Sequence, residues 1–271
     1  MALFKRKQQD DGFVKSRYKL GLALSGGGTR GIAHLGVLQA FAEQKIRFDC
    51  VAGTSAGSLV GALYCAGVNL DDVIAEAKSV NRKEFINRRF ALGSDSANIE
   101  RFADKFIKGV TFDELKIPFA CVSADIISGS EVVLDYGEVS NAVSASCAVP
   151  ALFKPVEYDG MLLVDGGLLN NMPADVCRRL GADIVVSVDL NHNRGNKGVR
   201  PRNLFDTLSA TWNITTKSTM YKGQINSDIV IYPELTDYKN TSLKNVDERI
   251  QAGYDATVKV IDELKRILLD K

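Results

Sequence analysis

The chain has 271 residues, and 34 basic against 33 acidic side chains leave a formal net charge of +1, so no global field favours nucleic acid. The composition, 45% hydrophobic and 25% charged with 6 prolines, excludes disordered, collagen-like and small disulfide-stapled classes. No stretch reaches the roughly 18 consecutive apolar residues of a membrane span, and we expect no secretion signal from the polar N-terminal residues. We predict a cytoplasmic protein with no nucleic-acid partner and at most a peripheral contact with the inner face of the membrane.

The hydrophobic pattern predicts a flexible basic arm at 1–18 and a single α/β domain at 19–271, with a C-terminal extension at 190–271. In chain order it predicts a strand at 19–25, a helix at 32–44, a strand at 48–52, helices at 58–66, 71–80 and 96–108, strands at 119–124 and 131–134, a helix at 139–146, a strand at 161–164, a helix at 174–180, a strand at 183–189, a helix at 204–222, a strand at 229–232 and a helix at 246–269. Alternating strands and helices, with continuous apolar strands, predict a three-layer α/β/α fold around a mainly parallel sheet.

The turn Gly53-Thr54-Ser55-Ala56-Gly57 fits G-x-S-x-G between a predicted strand and helix, which is the context of a nucleophile elbow. The flanking glycines Gly53 and Gly57 allow a sharp bend, and the helix N-terminus favours developing negative charge at Ser55. A chance tight turn is the alternative, because the five-residue pattern alone is weak.

A second glycine turn also lies between a strand and a helix, and its members are Gly26, Gly27, Gly28, Thr29, Arg30 and Gly31. Its backbone N–H groups, with that of Ala56, are predicted to hold an oxyanion, and Arg30 to add positive charge. The same turn matches G-x-G-x-x-G with Asp49 about 20 residues on, so a dinucleotide site is a competing interpretation. Asp49 precedes its strand instead of closing it, which weakens that interpretation.

Ser55 needs a base, and the chain offers His34, His192 or a carboxylate. We interpret His34, one turn into an apolar helix, as structural. The order Ser55, Asp165, His192 is that of an α/β-hydrolase triad, although that fold places several strands before its elbow. Asp165, at a strand end before Gly166 and Gly167, is the remaining candidate, since small neighbours allow close approach.

The three glycine-containing blocks, in this order and at these separations, resemble the signature blocks of the patatin-like phospholipase family. The stretch 145–155, ASCAVPALFKP, is similar to the segment that this family carries before its Asp-Gly motif. The resemblance covers about 20–189, and small bacterial members related to the catalytic domain of neuropathy target esterase are the most similar. Asp-Gly-Gly in place of Asp-Gly-Ala is a common variant of the third block.

The resemblance implies the patatin-like fold, with Ser55 as nucleophile and Asp165 as general base, and with no histidine, metal or cofactor. It also implies a lipid ester substrate, phospholipid or lysophospholipid. We therefore expect Asp165 to be desolvated, with a raised pKa. A catalytically weak lipid-binding module, a dinucleotide-binding protein and a triad esterase stay as alternatives. Basic clusters at 5–7, 82–89 and 194–202 are candidate contacts with anionic lipid.

Overall fold

The computed structural model describes residues 13–14, 16–79, 97–192, 200–235 and 245–270. The predicted arm and the basic clusters at 5–7 and 82–89 lie outside these residues, as does most of the cluster at 194–202. One mixed sheet organises the described residues. Its strands are β1 (Leu20–Leu24), β2 (Cys50–Thr54), β3 (Phe119–Asp125), β4 (Ser130–Leu134), β5 (Val156–Tyr158), β6 (Met161–Asp165), β7 (Ile184–Val188) and β8 (Ile229–Ile231).

The sheet follows the order β5-β6-β3-β2-β1-β7-β8, with β4 paired to β3. Strands β3, β2, β1, β7 and β8 run parallel, whereas β4, β5 and β6 form antiparallel pairs. The parallel strands are buried throughout or nearly so, as their continuous apolar sequences predict. Because their carboxyl ends share one edge of the sheet, the turns after β1, β2 and β7 meet there.

Strands β2 and β6 approach each other along one edge of β3. β4 pairs with residues 121–125 of β3 and occupies its other edge, while β2 ends where Thr54 pairs with Val122. The next position of β3, Ser123, pairs with Asp165 at the end of β6. Because β6 is antiparallel to β3, the carboxyl ends of β2 and β6 face each other. This topology brings residues 55 and 165 together.

Helices cover both faces of the sheet, which confirms the three-layer α/β/α prediction. They are α1 (Ala33–Glu43), α2 (Ala56–Ala66), α3 (Leu70–Ser79), α4 (Ala97–Ile107), α5 (Val139–Ser146), α6 (Ala174–Arg179), α7 (Leu204–Ser218), α8 (Met220–Asn226) and α9 (Val246–Asp270). A large core holds side chains of α1, α2, α4, α5 and α9 on one face. A smaller core against α6 lies on the other face.

Three elements of the structure differ from the prediction. β2 begins at Cys50 instead of residue 48, since Asp49 uses its side chain and its backbone N–H to bond Leu20. The predicted helix 204–222 is two helices that meet at Thr219. β5 was not predicted, because three residues are too few to show a period. None of the described helices is long and apolar enough to cross a bilayer.

Candidate active site

Ser55 occupies a strained turn between β2 and α2. Its backbone angles are φ 53° and ψ −124°, a combination that residues other than glycine rarely adopt. Close packing maintains this conformation: a Cβ at Gly57 would lie 2.1 Å from the Leu24 carbonyl oxygen, and one at Gly53 would lie 2.5 Å from the Gly57 carbonyl oxygen. Gly53 and Gly57 are therefore both required, because neighbouring backbone atoms leave no room for a side chain at either position, as the elbow pattern predicts.

Hydrogen bonds from side chains of α5 and α2 also fix this turn. The backbone N–H of Ser55 donates to Ser146 Oγ at 2.9 Å, and Ser146 Oγ donates to the Val122 carbonyl at 2.6 Å. Ser58 Oγ donates to the Ser55 carbonyl at 2.6 Å. The Ser55 side chain thus stands at the N-terminus of α2 on a backbone that is fixed by three polar contacts.

Asp165 is buried beside this turn, with 1% of its surface exposed. Its Oδ1 accepts the Gly167 N–H at 2.8 Å, while its Oδ2 has no hydrogen-bond partner among the described residues. Gly166 allows the close fit, because a Cβ there would lie 2.2 Å from the Val122 carbonyl oxygen. One carboxylate oxygen therefore accepts a hydrogen bond, and the other makes none among the described residues.

Burial raises the pKa of Asp165 to about 7, against the opposing effects of the Ser55 hydroxyl and the Gly167 N–H. The Ser55 hydroxyl is near enough to favour the carboxylate, although its geometry falls short of a full hydrogen bond to Oδ2. Such contacts commonly tighten only when substrate binds. Burial also raises the pKa of the neighbouring Cys147 thiol, which stays protonated. The desolvation and raised pKa expected for Asp165 from the sequence are both present.

The first glycine block forms a 3-10 helix, Gly28–Ile32, packed against the start of α2. A Cβ at Gly31 would lie 2.5 Å from Ala56 Cβ, and one at Gly26 would lie 3.1 Å from Ser55 Cβ. The loop therefore lies beside Ser55.

The predicted oxyanion donors differ in their availability. The N–H of Gly26 already donates to the Asn171 carbonyl at 3.0 Å, and that of Arg30 to the Gly27 carbonyl at 3.2 Å. Within the described residues, no acceptor is recorded for the N–H groups of Gly27, Gly28 and Ala56. In the described residues these three N–H groups are free to bind an oxyanion, whereas those of Gly26 and Arg30 are not.

Neither histidine is hydrogen-bonded to Ser55 or Asp165 among the described residues. His34 is fully buried, its Nε2 lies 2.9 Å from the Ser25 carbonyl oxygen, and burial lowers its pKa to about 4. The exposed His192 packs on Tyr232, with ring centroids 4.4 Å apart, and in the described part of the chain it makes no hydrogen bond with Ser55 or Asp165.

Asp49 lies far from the glycine loop. It accepts the Leu20 N–H at 2.7 Å, at the amino ends of β1 and β2. The glycine loop follows the carboxyl end of β1, about 17 Å away for a five-residue strand. The acidic group that a dinucleotide ribose would need is therefore at the opposite edge of the sheet.

A family model for Patatin-like phospholipase matches residues 22–178, more than half of the chain. The chain belongs to the patatin-like phospholipase family. An uncharacterized NTE family protein of Mycobacterium bovis is 38% identical over 180 residues, covering 63% of this chain and 30% of the relative. A patatin-like phospholipase domain-containing protein of Caenorhabditis elegans is 34% identical over 211 residues, covering 71% of this chain and 15% of the relative.

Solved structures share the patatin-like fold. VipD from Legionella pneumophila superposes with a TM-score of 0.55 at 17% identity, over 91% of this chain and 67% of that one. The type III effector ExoU superposes with a TM-score of 0.51 at 15% identity, over 94% of this chain and 54% of that one. At these identities the likeness concerns the fold alone.

Three asparagines contact the patatin-like blocks and connect them to one another. They are Asn170, Asn171 and Asn191, and none was predicted from the sequence. The Thr54 hydroxyl donates to the Asn170 carbonyl at 2.8 Å, and Asn191 Nδ2 donates to the Gly26 carbonyl at 2.7 Å. The Asn171 side chain fills the space between the first and third blocks: a Cβ at Gly26 would lie 2.4 Å from its Oδ1, and one at Gly167 would lie 2.9 Å from the same atom. The pair 170–171 follows the Asp-Gly block, but only the fold shows what it contacts.

Two buried arginines support the glycine loop of this patatin-like site. Arg30 donates from Nη1 to the Leu190 carbonyl at 3.1 Å, and Arg249 of α9 donates from Nη1 to the Thr29 carbonyl at 2.9 Å. Burial and the proximity of Arg249 lower the pKa of Arg30, while Asp189 opposes this effect. Arg249 is 1% exposed, and no motif marks it, because its partner lies 220 positions earlier.

An open cleft of about 570 Å³ adjoins the first and third blocks. Its walls come from the end of β7 and from α7 and α8, and they include Asp189, His192, Ile214, Lys217, Met220 and Tyr221. Met220 Sδ lies 3.3 Å from Asn171 Nδ2, so the cleft floor touches the residue that separates the glycine blocks. Across the described ranges, no group of three or more His, Cys, Asp or Glu side chains is arranged to hold a metal ion.

Proposed function

We propose that this protein is a serine acyl hydrolase that cleaves carboxylic esters of lipids through a Ser55–Asp165 dyad. Family membership supports the reaction class. The observation that carries the residue assignment is the buried Asp165, with one unpartnered oxygen, beside a serine in a strained turn. Phospholipid or lysophospholipid is the substrate class, and peripheral contact with a membrane surface is part of the proposal.

In this mechanism Ser55 Oγ attacks the ester carbonyl carbon while Asp165 Oδ2 accepts the hydroxyl proton. The tetrahedral oxyanion is held by the free N–H groups of Gly27, Gly28 and Ala56, each worth about 3 kcal/mol of barrier. Collapse breaks the ester C–O bond, and the proton on Asp165 passes to the leaving alcohol. Water then attacks the acyl-enzyme, with Asp165 again the base, and releases the fatty acid.

A carboxylate with an ordinary pKa near 3.9 is a weak base for a serine hydroxyl. Burial raises the pKa of Asp165 to about 7, which brings its basicity close to neutral pH. His192 faces Tyr232 and the cleft, so we assign it no proton transfer. The absence of a metal and the cytoplasmic location stay predictions from the sequence.

The test is hydrolysis of a short-chain nitrophenyl ester and of a lysophospholipid by Ser55→Ala, Asp165→Asn and His192→Asn. We expect the first two to lose roughly 10⁴-fold in kcat and the third to keep its rate. Asp125→Asn is the matched control, because Asp125 is another buried carboxylate, 8% exposed, whose partners lie in its own turn and at Leu162. Circular dichroism checks the fold of each variant.

The alternatives predict different results. Loss of activity in His192→Asn would indicate a triad esterase. A wild type that binds lipid without turnover, on both substrates, would indicate a lipid-binding module. A fluorescence titration with dinucleotides tests the third alternative, for which Asp49 is wrongly placed.

A further inference from the structure

Exposed apolar side chains are concentrated on two successive helices outside the region matched by the family model. Among the described residues, twelve large hydrophobic side chains are exposed, and five lie on α7 and α8. Their exposed fractions are 71% for Leu204, 40% for Leu208, 60% for Ile214, 66% for Tyr221 and 63% for Ile225. We call these five residues the α7–α8 face. Large apolar side chains left exposed in such a concentration indicate an interaction site.

The charge near this face is positive although the whole chain is almost neutral. Residues 200–226 contain four basic side chains, Arg200, Arg202, Lys217 and Lys222, and one acidic one, Asp206. Lys222 is paired with Glu131 at 2.6 Å and with Asp175 at 3.0 Å, so its charge is neutralised within the protein. Exposed Arg200 and Arg202 lie shortly before Leu204 in the chain, and the exposed Lys217 of α7 shares the cleft wall with Asp189. Apolar side chains flanked by cations are the combination that binds the interface of an anionic bilayer.

The face is continuous with the cleft and close to the dyad. Ile214, Lys217 and Tyr221 belong both to the exposed surface and to the cleft wall. On its inner side α7 packs on the third block, since a Cβ at Gly167 would lie 3.1 Å from Thr216 Cγ2. A helix with side chains is about 10–12 Å across. A bilayer touching the outside of α7 would therefore lie about one helix diameter from the segment that holds Asp165.

We propose that the α7–α8 face is the surface by which this protein docks on a phospholipid bilayer containing anionic lipids, with the cleft opening toward the lipid. This inference rests on the proposed function, because a lipid ester must pass from the bilayer to Ser55. It keeps Arg200 and Arg202 of the basic cluster at 194–202, but it makes apolar side chains of α7 and α8 the principal contact.

The experiment measures binding of the full chain to vesicles of phosphatidylcholine, alone and with one-third phosphatidylglycerol. The Ser55→Ala background keeps the vesicles intact, so binding is read without turnover. The docking variant is L204S/I225S, whose two residues do not line the cleft. The matched control is V258S/L269S, which removes two exposed apolar side chains, 48% and 68% exposed, from α9.

We expect L204S/I225S to bind the mixed vesicles at least roughly tenfold more weakly than the parent, and V258S/L269S to bind as the parent does. R200S/R202S should lose most of the preference for the anionic vesicles. With Ser55 restored, L204S/I225S should hydrolyse a soluble nitrophenyl ester at the parent rate. That last result separates the two proposals, because loss of docking leaves the chemistry intact.

Three results would overturn the inference. The first is a parent protein that binds neither vesicle, and the second is equal weakening by the docking and control variants. The third is a parent that is dimeric by light scattering and becomes monomeric in L204S/I225S, which would make the face an interface between two copies. Absence of ester hydrolysis with normal vesicle binding would instead contradict the proposed function and leave the docking surface standing.

Discussion

Residues 20–189 and residues 200–270 contribute to the candidate site in different ways. The first part carries Ser55, Asp165 and the free N–H groups of the glycine loop. The second part carries none of these, yet Arg249 bonds Thr29 and the Thr219 hydroxyl bonds the Gly167 carbonyl at 2.9 Å. The proposed reactive groups therefore come from short local motifs, whereas residues 200–270 contribute single long-range contacts that support them. Changes in the first part should remove the chemistry, and changes in the second should only weaken it.

With Ser55 and Asp165 both intact, the largest expected effect is the pH dependence of turnover. Because Asp165 must be ionised to accept a proton and its pKa is raised to about 7, kcat/KM should fall about tenfold per pH unit below 7. The rate at pH 5 should then be about one-hundredth of the plateau above pH 8. Measurement with a soluble ester avoids effects of pH on lipid packing. A flat profile between pH 5 and 8 would contradict the role of Asp165.

Next is the stability of Asp165→Asn. Burial raises the pKa of Asp165 from 3.8 to about 7, so the folded state binds more protons than the unfolded chain between these values. Wild-type stability therefore falls as the pH rises through this window, and the loss is complete above it. The variant should be more stable than wild type by on the order of 4 kcal/mol at pH 8, and by little at pH 4.

Urea unfolding at both pH values measures this difference. Asp125→Asn is again the control. The hydrogen bonds of Asp125, chiefly from Ser128, lower its pKa, so that variant should lose stability at pH 8. An Asp165→Asn variant that is equally destabilised at both pH values would indicate a structural role for the carboxylate.

In the second part of the chain, Arg249→Met should loosen the glycine loop. The substitution removes the donor to the Thr29 carbonyl while preserving much of the buried volume, and we expect kcat to fall about tenfold with activity remaining. Lys265→Met is the matched control, because Lys265 also joins α9 to the first part, at Gln44, away from the site. Complete loss of activity in folded Arg249→Met would contradict the expectation that changes in residues 200–270 only weaken the activity.

The smallest expected effect is that of Thr219→Val. It removes the hydroxyl that donates to the Gly167 carbonyl and keeps the side-chain shape, which should cost about 1 kcal/mol of stability and a few-fold in kcat. Thr257→Val removes a buried hydroxyl bonded within α9 and should affect stability alone. Equal kcat values for the two variants would show that the contact at Gly167 does not position the dyad.

The contrast between local motifs and long-range contacts also explains how much of the structure the sequence predicts. The helix at 139–146 has the predicted bounds, and the elbow and Asp-Gly turns lie where their motifs place them, because spacing along the chain reports local geometry. Asn171 and Arg249 could not be predicted, since their contacts join residues that are distant in sequence. Gly26 was predicted as an oxyanion donor, but the Asn171 carbonyl takes its N–H.

The meeting of β2 and β6 along one edge of β3 has a consequence for biosynthesis. Ser55 and Asp165 are 110 positions apart, and the strands that carry them both pair with β3. A nascent chain that has emerged only through β3 has the proposed nucleophile and lacks the proposed base. The proposed ester-cleaving centre is completed only after the antiparallel strands have added to the sheet. A fragment ending before residue 161 should bind no mechanism-based serine reagent, and addition of the remaining chain should restore labelling.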